Sequence, residues 1–188
     1  MSREYIPITR RWVEKVVIDL ELCPFAKREL VNDRVRFALT DSTDVETLLQ
    51  ALLSELERLN RSPEIETTLL IHPEVLTDFS EYNAFLDLAD ALLQHAQFEG
   101  IYQIASFHPG YRFAGTREED AENFSNRSPF PMLHLLRESS LEHAIAAYPD
   151  PQNIPARNIA LLRQLGRNTL QAVFESCFVH ADPSEKTS

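Results

Sequence analysis

The sequence predicts a layered α+β or α/β domain, with a mixed, about four-stranded sheet packed by about five helices. Three observations carry that prediction. Stretches with apolar residues at helical spacing alternate with short runs rich in β-branched residues and leucine. Leu69-Leu70-Ile71 is apolar on successive positions, the pattern of a strand covered on both faces. At 188 residues and 44% hydrophobic, the chain is long enough for one core and short for two. A single globular domain is expected over residues 1–180, with a flexible tail over 181–188.

Residues 7–22 place Val13, Val16, Val17 and Leu20 at the i, i+3, i+4, i+7 spacing of an amphipathic helix, with Thr9 as its cap and Trp12 helping to bury that face. Cys23-Pro24 ends it, because the residue before proline is pushed out of the helical region. A short helix over Phe25 to Leu30 follows, with Cys23 as its cap. Val35 to Thr40 reads as a strand. Thr43-Asp44-Val45-Glu46 reads as a capping box, and Val45, Leu48, Leu49, Leu52, Leu53, Leu56 and Leu59 give the next helix a wide apolar stripe.

Pro63 breaks that pattern, and Ile65 to Ile71 forms the next strand. His72-Pro73 closes it. A helix from Val75 to Leu93 leads to Gly100 and a strand over Ile101 to Phe107. Met132 to Arg137 is a further strand, proline-led and so suited to an edge. Ser139-Ser140-Leu141-Glu142 is a second capping box, opening a helix to Tyr148. Three prolines stiffen the connector to a last helix through Ile159, Leu162 and Leu165, which Gly166 ends or bends.

Between Phe107 and Met132 lie about two dozen residues with little periodicity, and connections that long in a compact domain are usually functional or disordered. Phe107, Tyr111, Phe113, Phe124 and Phe130 are interleaved there with polar residues. Aromatic anchors at that density indicate an ordered loop carrying a site.

Charge excludes some partners. The net charge is −11, and the segment from Asp41 to Glu99 holds thirteen acids against Arg58 and Arg61, while the remainder is balanced. Without a basic stripe, nucleic acid is not an expected partner, and no membrane partner is expected. Two cysteines, Cys23 and Cys177, form no CxxC pair, and with no signal-peptide pattern or spanning run among these residues a cytoplasmic location is expected.

Several motifs together carry a resemblance. Trp12, Leu22-Cys23-Pro24-Phe25-Ala26, Phe107-His108-Pro109, Tyr111-Arg112-Phe113-Ala114-Gly115, Asn126-Arg127-Ser128-Pro129 and Leu133-His134-Leu135-Leu136-Arg137-Glu138 resemble the domain of unknown function 1415 family of bacterial proteins. The resemblance runs to about Leu170. It implies a single-domain bacterial protein and supplies no catalytic residues, so the chemistry rests on the residues themselves.

His72 and His108 each precede a proline at the end of a strand-like run. If those strands are parallel neighbours, both imidazoles emerge at the edge where open sheets bind ligands. An antiparallel strand from Met132 would bring His134 to the same rim. Scattered histidines without an HxH or HExxH pattern do not favour a metal, although His72, His108 and His134 are its candidate ligands. No cofactor is indicated. Arg112, Arg127 and Arg137, with Asn126 and Tyr111, suit a pocket for a small carboxylate or phosphate, since guanidinium matches both in a planar fork.

Three functions therefore compete. The first is a small-molecule enzyme or binding domain for an anionic ligand, with His108 and His134 as acid–base groups. The second is a non-enzymatic interaction protein presenting acidic helical faces to a protein partner that the sequence does not identify. The third is a thiol-dependent activity at Cys23, whose CPFA surroundings look like a glutaredoxin stretch lacking its second cysteine; the preceding helix end disfavours a thiolate there.

Overall fold

In the computed structural model, which describes residues 4–179, four strands fall close to where residue pattern puts them: β1 Val35–Leu39, β2 Thr67–Ile71, β3 Tyr102–Phe107 and β4 Met132–Arg137. Six α-helices accompany them among the described residues: α1 Tyr5–Trp12, α2 Ala26–Val31, α3 Val45–Arg61, α4 Phe79–His95, α5 Glu138–Ala147 and α6 Ile154–Glu175. The architecture is α+β, one open mixed sheet with helices on both faces. The tail expected over 181–188 lies outside the described residues.

The sheet order is β1-β2-β4-β3. β1 pairs parallel with β2, and β4 pairs antiparallel with both β2 and β3. β2 and β3 are thus parallel but not neighbours, and β4 is central rather than an edge. Pro131 does not prevent this because it precedes the ladder, and its carbonyl accepts the His72 backbone N–H at 3.0 Å.

One face of the sheet buries Leu70, Tyr102, Leu133 and Leu135 against the leucine stripe of α3 and against Tyr82, Phe85, Ala89 and Leu93 of α4. The other buries Leu69, Ile71 and Met132 against Trp12, Val13, Val16, Leu162 and Leu170. β2 is buried at every position, as its unbroken apolar run requires.

Helix ends differ from the sequence reading in ways that capping explains. Asp44, not Thr43, caps α3, accepting the Thr47 N–H at 2.8 Å. Asp78 caps α4 by accepting the N–H groups of Ser80 and Glu81, so that helix begins at Phe79 instead of Val75. Thr9 lies inside α1 with its hydroxyl bonded to the Tyr5 carbonyl at 2.8 Å. α2 starts behind Phe25 rather than Cys23, and α5 starts at Glu138 without a side-chain cap. Gly166 takes φ 74° and kinks α6. No periodicity announces the stretch after α1, where Val13–Ile18 winds as a π-helix with Asp19 N–H bonded to the Glu14 carbonyl at 2.9 Å. Such wide turns recur beside functional sites.

Candidate functional site

His72 and His108 emerge at one rim of the sheet, beyond the paired ends Ile71, Met132 and Phe107. Neither is free for chemistry. His72 is fully buried, its Nδ1–H donates to the Val75 carbonyl at 3.0 Å, and its Nε2 has no partner. Burial pushes its pKa down to about 4. His108 Nε2–H donates to the Leu76 carbonyl at 3.2 Å, and its Nδ1 accepts the Gly110 N–H at 3.0 Å. Burial lowers its pKa as well. Both rings pack on Tyr82, whose hydroxyl donates to the Met132 carbonyl at 2.8 Å and accepts the Phe107 N–H at 3.0 Å. The rim is a neutral polar clasp joining α4, β3 and β4. The acid–base role expected of His108 loses its basis, because both ring nitrogens serve the backbone.

The long loop is ordered around a residue that the sequence did not single out. Asn123, fully buried in a 3₁₀ turn over Ala121–Ser125, accepts the Phe113 N–H at 3.1 Å and the Thr116 hydroxyl at 2.8 Å, and donates to the Arg117 carbonyl at 2.7 Å. Asn126 donates to the Ser106 carbonyl at 2.9 Å. Tyr111 packs its ring on Phe79 and Phe113, at 5.1 and 4.9 Å between centroids. These are the bonds of a self-supporting loop.

The expected anion pocket does not assemble. Arg127 is buried, donates to the Tyr111 and Glu118 carbonyls at 3.3 and 2.6 Å, and lies over the Phe124 ring. Arg137 spends its guanidinium on the carbonyls of Leu59, Ser62 and Ile65, at 2.6, 3.1 and 3.0 Å, closing the end of α3. Arg112 is exposed on the loop. Each cation follows a different neighbour, so the three guanidiniums form no common site.

The cavity lies elsewhere, on the sheet face covered by α1 and the π-helix. It encloses about 290 Å³ and is lined almost wholly by apolar groups, among them Trp12, Val13, Val17, Phe25, Leu69, Ala105 and Phe107. The π turns place Val13 and Val17 on its wall. Ser140 and Leu141 of α5 form another part of the wall, and α5 buries none of its residues.

His134 faces this cavity from the sheet. Its register opposite Leu69 and Ala105 puts it two residues inside the strand, so it does not reach the rim beside His72 and His108. Its Nε2 lies 2.7 Å from the Thr67 hydroxyl, which donates to the Leu135 carbonyl at 2.7 Å. Burial lowers the His134 pKa to about 4. Among the described residues no cluster of His, Cys, Asp or Glu is arranged to hold a metal ion, and the three histidines are divided between rim and cavity.

Cys23 is half-buried in the cavity wall and also lines an adjoining polar cleft of about 450 Å³ with Asp19, Glu21, Lys27, Tyr148 and Arg157. Burial raises its pKa, against a partial lowering by the Phe25 and Ala26 N–H groups. The thiol is reachable but protonated. Cys177 is buried, and both cysteines are free.

Fold and site together define an α+β domain with an apolar cavity between a π-widened N-terminal helix and a mixed sheet. The chain belongs to the family described as protein of unknown function (DUF1415), whose model matches residues 4–172. Comparison with curated proteins and comparison with solved structures each returned no match. Among the described residues, no helix is long and apolar enough to cross a membrane.

Proposed function

We propose that the chain is a small-molecule binding domain, working in the bacterial cytoplasm, that takes a compact, mainly apolar ligand into the cavity between the π-helix and the sheet. The observation that carries this reading is the cavity itself, a space of about 290 Å³ with apolar walls and one imidazole facing it. Ligand sites of this kind are mostly apolar, with few polar groups to fix orientation. Free Cys23 and Cys177 thiols are compatible with a reducing compartment.

Trp12, the single tryptophan of the chain, lines the cavity and reports on its contents. Bromobenzene should quench Trp12 emission along a saturating curve by heavy-atom contact. Ala105→Phe, which projects a ring into the space from β3, should abolish that saturation while leaving the circular dichroism spectrum unchanged. Quenching that rises linearly, with no plateau and equally in both proteins, would mean that the cavity takes no ligand.

A further inference from the structure

Hydrogen bonding around His134 decides which kind of apolar molecule suits the cavity. The Thr67 hydroxyl has one hydrogen, and the Leu135 carbonyl, an acceptor only, takes it at 2.7 Å. Thr67 therefore meets His134 through a lone pair, so the proton must sit on His134 Nε2 at the 2.7 Å contact. That tautomer leaves Nδ1 without a hydrogen. Nδ1 has no protein partner and is not sealed among the buried polar atoms, so it is an open acceptor in the cavity.

The indole and guanidinium donors nearby are already engaged. Trp12 Nε1–H is bonded to the Arg127 carbonyl at 3.0 Å, and the Arg137 guanidinium is held by α3 and the segment that follows it. Glu29, on the same wall, is held by Arg28 at 2.6 Å and Arg34 at 3.3 Å. What the cavity offers is mainly apolar surface and a bare imidazole nitrogen, with the neutral Ser140 hydroxyl and Cys23 thiol elsewhere on its wall. A carboxylate or phosphate would meet a lone pair at His134, while the wall's cations are already engaged, Arg28 with Glu29 and Arg137 with backbone carbonyls.

We infer that the ligand is an apolar molecule bearing a neutral hydrogen-bond donor, of the phenol or indole class, whose O–H or N–H is accepted by His134 Nδ1. Thr67 is the positioning residue that fixes the tautomer. This inference rests on the cavity being a binding site, and the test separates the two. Three probes of one shape, p-cresol, p-xylene and p-toluate, are titrated into the wild-type chain at pH 7.5, with binding followed by Trp12 emission and the His134 ring by ¹⁵N spectroscopy.

The donor should win. p-Cresol is expected to bind about tenfold more tightly than p-xylene, the return of one hydrogen bond formed in an apolar site, and to shift the Nδ1 resonance, while p-toluate should not bind. Thr67→Val should show both tautomers in the ¹⁵N spectrum and narrow the p-cresol preference; if that variant does not fold, the wild-type comparison stands alone. Equal binding of p-cresol and p-xylene, or tighter binding of p-toluate, overturns the donor assignment and leaves the cavity reading intact. No binding by any of the three overturns both.

Discussion

Acid should destabilise this protein through histidines that burial holds neutral. His72 is the clearest case, with an ordinary pKa of 6.5 lowered to about 4 by burial. The unfolded chain binds this proton near 6.5 and the folded chain only near 4. In the interval between, the unfolded state holds more protons, so stability rises with pH. His72 contributes fully above 6.5, and that contribution is lost as the pH falls through about 4. The difference amounts to roughly 3 kcal/mol, at about 1.4 kcal/mol for each pH step. His134 adds a loss of the same sign over the same window. Against a total stability of about 5–15 kcal/mol for a typical domain, two such groups are decisive.

The perturbation that isolates the effect is His72→Phe, which keeps a ring stacked on Tyr82 and removes the titrating nitrogens. At pH 7.5 the variant should be less stable by about 1–3 kcal/mol, because the Val75 carbonyl loses its donor. Its dependence on pH should be shallower by about one proton. Wild type and variant should therefore converge, or cross, near pH 4.5. Urea unfolding followed by far-ultraviolet circular dichroism at four pH values between 7.5 and 4.5 measures this. Parallel curves for the two proteins, or a His72 ring that titrates near 6.5 in the folded state, would show that burial does not hold this imidazole neutral.

Two further outcomes follow from the same geometry. Arg137→Leu should cost about 3 kcal/mol, since three carbonyls at the end of α3 share its guanidinium and would lose a charged donor together; chemical denaturation reads it, and a loss under about 1 kcal/mol would contradict a structural role. Cys23, with its raised pKa, should react with iodoacetamide at pH 7.5 more slowly than in the urea-unfolded chain, and Cys177, fully buried, more slowly still. Peptide mass mapping gives both rates, and faster labelling of folded Cys23 would revive a thiol activity.

How much was legible in the residues depended on how local the physics was. All four strands, and the doubly covered character of β2, were readable because burial on one or two faces writes itself into residue alternation. The separation of β2 from β3 by β4 was not, since pairing partners are chosen across the chain and Pro131 argued for an edge. His134 misses the rim for a separate reason, a register that sets it two residues inside β4. The arginines misled for a related reason: a guanidinium satisfies a loop carbonyl as readily as a ligand, and Arg127 and Arg137 do the former. The residues that shape the cavity, Val17, Thr67 and Ala105, are small or ordinary and lie on three different elements. Only Trp12 and the π turns hint at it, and π turns have no sequence period to betray them.

The place of β4 also has a bearing on how the chain is made. Three of the four strands leave the ribosome before it, yet only β1 and β2 can join one another at that point. Until Met132–Arg137 emerges, β2 and β3 each present a bare ladder of amides to the solvent, an invitation to pair with the wrong strand or another chain. The last strand acts as a keystone. Growth that stalls within the Asn126–Pro131 stretch should yield a sticky, half-zipped species, and the completed protein should acquire its sheet late and in one cooperative step.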